Sequence, residues 1–174
     1  MKVAGKQENA NEFFRAAQSL GFEFFIVKMV NTAFACELYL KLIAETRKVD
    51  FAKTHGLDKL FEKLAEEDKK EIFDIWRENA GENITNCDYT RQMFSDNLEA
   101  VANVFIRFRY ADEWSGSVLS LEASFTPEQF EKFSIFSTKR PFGSPPIHDG
   151  FLTQFAKSLK IYTEKLLGKT YNSF

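Results

Sequence analysis

The sequence predicts an all-α helical bundle of six to seven helices, with two long helices packed antiparallel at its centre. Three observations predict it. Apolar residues recur at helical spacing in one segment after another. Glycine and proline fall mainly between those segments, at Gly21, Gly81 and the run Arg140 to Pro146. No two segments alternate apolar and polar residues in a way that would pair as strands.

The first helix is expected from Asn9 to Leu20, where Phe13, Ala17 and Leu20 share a face and Gly21 ends the run. The second is expected from Glu23 to Lys48. It contains no glycine or proline and is apolar on several sides: Phe24, Val27, Val30, Phe34 and Leu38 on one, Phe25, Met29, Cys36, Leu40 and Ile43 on another. A helix of that kind is central and covered by neighbours. Glu37 and Lys41 stand one turn apart and can pair, as can Lys41 and Glu45. After a loop from Val49 to Gly56, Leu57, Leu60, Phe61 and Leu64 form an i, i+3, i+4, i+7 stripe. A short helix from Glu67 to Glu78 carries Ile72, Ile75 and Trp76, and Gly81 stops it.

Asn83 to Asp88 reads as a turn with capping side chains. The second long helix follows, from Asp88 to Tyr110, with Phe94, Leu98, Val101, Phe105 and Phe108 as its stripe. Its opposite face carries Asp96, Glu99, Asn103 and Arg107. Val118 to Ser124 fits either a strand or a continued helix. Thr126, Pro127 and Gln129 together mark a helix start with a capping box. The segment Arg140 to Pro146 breaks that helix. The last helix starts at Asp149, runs along Leu152, Phe155, Leu159, Tyr162 and Leu166, and is expected to end at Gly168.

Composition narrows the function. A chain of 174 residues suits one domain, spanning 1–174. Its 44% hydrophobic and 28% charged residues are an ordinary globular balance, so global disorder is not expected. The 20 phenylalanines are spread along the chain and read as core material. A net charge of −2 does not supply the dense lysine and arginine of nonspecific nucleic-acid binding. The two cysteines, Cys36 and Cys87, lack metal-ligand spacing. The longest apolar stretch, Phe24 to Val30, is short and interrupted by Lys28, so no membrane association is expected. The polar residues from Met1 to Ala10 do not form a signal peptide, and a cytoplasmic location is expected.

The motifs of nucleotide-binding loops, zinc proteases and serine hydrolases are absent. No cofactor and no metal is expected. What the residues do offer is a likeness. The run from Asn31 to Lys41 (NTAFACELYLK), the segment His55 to Phe61 (HGLDKLF) and the end Arg107 to Glu113 (RFRYADE) resemble helices of the HEPN domain superfamily. The likeness covers about residues 10–114 and is carried by degenerate motifs. It implies an all-helical bundle, in many members a homodimer. Many members are metal-independent RNases of toxin, antiphage or RNA-processing systems; others bind nucleotides or have lost catalysis. The nuclease members share an arginine followed, four to six residues later, by a histidine. The arginine stabilises phosphate charge and the histidine moves a proton.

The chain departs at that motif. Arg107 and Arg109 are followed by Ala111, Asp112, Glu113, Trp114 and Ser115, and Arg140 is too far from His148. The expected function is therefore a HEPN-like, non-catalytic module that binds RNA, a nucleotide or a protein partner. A divergent endoribonuclease using Arg107, with Glu113 or His148 in place of the lost histidine, is a second reading. A structural dimerisation or accessory protein is a third. The residues expected to contact a ligand are Asn31, Glu37, Lys41, Asn103, Arg107 and Arg109. Arg107 or Arg109 is the expected partner for a buried Glu37. His55 is expected to cap or pack the short helix it precedes.

Overall fold

A computed structural model of the chain describes residues 3–81, 90–102 and 149–171. Among them are six α-helices and no strand: α1 (Val3–Ser19), α2 (Phe25–Thr46), α3 (Leu57–Glu62), α4 (Glu66–Gly81), α5 (Arg91–Val101) and α6 (Asp149–Tyr171). A 3-10 turn, Phe22–Phe24, leads into α2. The all-α expectation holds for these residues. The expectations placed on Asn83 to Asp88, on the segment from Asn103 to Tyr110, on Val118 to Ser124 and on the capping box at Thr126 lie outside them.

Side-chain pairs fix the directions of the helices. From α1 to α2 the pairs are Lys6 with Glu45, Asn11 with Tyr39 and Phe13 with Phe34, so the two helices run antiparallel. From α2 to α6, Cys36 meets Leu152 and Arg47, one residue past α2, meets Tyr162, so these run parallel. From α4 to α6, Asp68 meets Tyr162 and Trp76 meets Phe151, so these run antiparallel.

Ala10, Ala17, Ala33 and Ala35 are all buried, and small side chains let α1 and α2 approach closely. The stripe expected on the last helix is real: Leu152, Phe155 and Leu159 are fully buried, and Tyr162 and Leu166 nearly so. Each such apolar side chain contributes roughly 1.5–3 kcal/mol relative to an exposed one. Phe94 sits in an aromatic cluster with Phe61, Phe73, Trp76, Phe151 and Phe155, at centroid distances of 5.1–5.6 Å for Trp76, Phe61, Phe151, Phe73 and Phe155. The phenylalanine-rich composition thus builds one continuous interior where α3, α4, α5 and α6 meet.

Two helix bounds change, and one packing expectation falls partly outside the described residues. Among the described residues α2 packs most extensively on α1 and α6, while α5 packs on α3 and α6. Among the described residues α2 thus lies between α1 and α6, and the expected pairing with the second long helix rests largely on residues 103–110, outside those described. The first helix starts two turns before Asn9, at Val3, because nothing from Val3 to Glu8 breaks a helix except Gly5, which a helix tolerates for about 1 kcal/mol. For the same reason α6 continues past Gly168 to Tyr171.

Among the described residues, no helix is long and apolar enough to cross a membrane.

Candidate functional site

The centre of α2 holds a carboxylate where its neighbours are apolar. Glu37 is only 3% exposed. Burying a charge is costly unless it is paired. Lys41, one turn on, donates from Nζ to Glu37 Oε1 at 2.7 Å. His55 Nδ1 lies 2.9 Å from the same oxygen. A carboxylate only accepts, so Nδ1 carries the proton and donates. The His55 side chain is 58% exposed. In neutral His55 this leaves Nε2 as the acceptor nitrogen.

The loop between α2 and α3 returns His55 to α2. Lys48 and Lys53 adopt the left-handed conformation, with φ of 58° and 60°. Such backbone is uncommon for residues other than glycine and turns the chain sharply. Asp50 Oδ1 accepts from Ala52 N at 2.9 Å, an Asx turn. Lys63 Nζ donates to Asp50 O and to Thr54 Oγ1, each at 3.1 Å. Two residues after His55, Leu57 N donates to Ala102 O at 3.3 Å, which anchors the start of α3 to the end of α5.

Of the residues expected to contact a ligand, the structure brings together Glu37 and Lys41. Asn31, six residues before Glu37, points about 120° away around α2 and does not join them. Asn103, Arg107 and Arg109 lie outside the described residues. The partner found for Glu37, besides Lys41, is His55. The capping role expected of His55 is not seen: Gly56 is the N-cap of α3 and no side chain bonds there. The alternative pairing of Lys41 with Glu45 gives way to Lys6 with Glu45, an α1–α2 contact that sequence spacing does not display.

A second charged centre, not expected from the sequence, lies at the end of α2. Asp68, 1% exposed in the first turn of α4, accepts from Arg47 Nε at 3.1 Å and Nη2 at 2.6 Å, and from Tyr162 Oη. It ties the end of α2 to α4 and α6. A signal existed: Asp68 is one turn before Ile72 and two before Trp76, on the apolar stripe of α4. An acid on such a stripe is buried and needs a partner. Burial, followed by the bond to Asp68, pushes the Tyr162 hydroxyl up to about 12. Among the described residues, no group of three or more His, Cys, Asp or Glu could hold a metal.

An open groove lies elsewhere, between α3, α4 and α5, with a volume of about 370 Å³. Phe61, Phe73, Phe94 and Leu98 form its floor. Asp58 and Glu62, one turn apart on α3, stand on one wall and Glu99 on the α5 wall. At the other end Glu66 is bonded to Lys69 at 2.5 Å, and this bond holds the Glu66 carboxyl below its ordinary range. The Arg91 guanidinium sits 5.5 Å from the Phe73 ring centroid, a cation–π contact. The Glu66 end is thus neutralised. Lys69 Nζ also donates to the Glu62 carbonyl at 3.3 Å, so Glu62 stands beside the same ammonium.

Compared with known proteins, the chain matches no family model, no curated protein and no solved structure.

Proposed function

We propose that this chain is a HEPN-like helical module that binds a protein partner and does not cleave RNA. The groove between α3, α4 and α5 carries the reading. Its aromatic floor offers apolar contact of the kind that anchors a partner's side chain. Its acidic walls disfavour phosphate, which argues for protein over RNA or a nucleotide as the occupant. The Glu37 centre supports the same choice, because the Lys41 ammonium is already engaged by a buried carboxylate. The missing histidine after Arg107 and Arg109 removes the proton-transfer partner that the HEPN nucleases share.

One observation favours the second reading, a divergent metal-independent endoribonuclease. A buried carboxylate on Nδ1 and a solvent-facing imidazole are how an acid–base histidine is held in many hydrolases. Incubation of the purified chain with end-labelled RNA of mixed sequence, in chelator, separates the two. The binding reading expects intact RNA. Cleavage that disappears in His55→Ala would replace it with the enzyme.

A further inference from the structure

We draw no further inference here: the strongest candidate, the surface patch of exposed apolar side chains that Phe24 and Val27 present where the 3-10 turn enters α2, carries nothing because nothing among the described residues shows what covers it.

Discussion

Asp68 and Tyr162, 94 residues apart in the chain, share a hydrogen bond inside the protein, and Arg47 reaches the same carboxylate from the end of α2. One buried acid thereby holds three helices in register. Because the Arg47 side chain is 44% exposed and Asp68 is 1% exposed, the two halves of the pair are unequal.

That inequality sets the order of two mutations. Arg47→Ala leaves a buried carboxylate with only the Tyr162 hydroxyl, a loss of about 3 kcal/mol. Asp68→Ala lets Arg47 turn to water and strands one hydroxyl, a loss of about 1–2 kcal/mol. Urea unfolding of the two variants checks the order. Equal losses would mean that Arg47 does little to compensate Asp68.

The Glu37 centre makes a spectroscopic prediction. Neutral His55 is expected as the Nδ1-protonated tautomer, because Glu37 on Nδ1 can only accept. Long-range nitrogen–proton correlation spectra of the two histidines distinguish the tautomers, and His55→Ala assigns the signals. Glu37→Gln is expected to relax the preference. His55→Ala itself should cost only about 0.5 kcal/mol, since the ring is largely in water. Lys41→Ala should cost more, about 2 kcal/mol, since it strips the less exposed of the two donors from a buried carboxylate.

How far the sequence disclosed these features follows from what periodicity encodes. The apolar stripes of α3, α4 and α6 were readable because burial repeats at helical spacing: Leu57 and Leu60, Ile72 and Trp76, Leu152 to Leu166. The Glu37–Lys41 pair was readable because both residues sit on one helix a turn apart. His55 was not, since a loop with two left-handed lysines delivers it to Glu37, and no spacing rule describes that path. Likewise, that α1 and α6 cover α2 among the described residues is a matter of which faces meet in space, which a one-dimensional pattern does not specify. The groove itself, lined from three helices, is likewise a tertiary fact.

Alkaline pH is expected to destabilise the fold in a defined window. Burial raises the Tyr162 hydroxyl from its ordinary 10.0 to about 12. Burial likewise raises the Tyr39 hydroxyl above 10.0 and the Cys36 thiol above 9.0. All three are raised, so each holds its proton more tightly when folded. Their contribution is complete below the unfolded values and is lost as pH climbs through the folded ones. Stability by urea unfolding should therefore be unaffected by these groups up to about pH 9 and fall steadily toward pH 12. Tyr162→Phe should shallow the fall between pH 10 and 12. An unchanged slope in that variant would show that Tyr162 ionises freely in the folded chain.

The proposed function places the working surface in the α3–α4–α5 groove and leaves the Glu37 centre as a structural tie. Backbone amide shift mapping during titration with a helical peptide of leucine and lysine, a generic amphipathic partner, tests it most directly. The predicted result is a cluster of shifts at Phe61, Glu62, Ser95, Leu98 and Glu99, with Lys41 and His55 unmoved. Shifts confined to Lys41 and His55, with the groove silent, would contradict it.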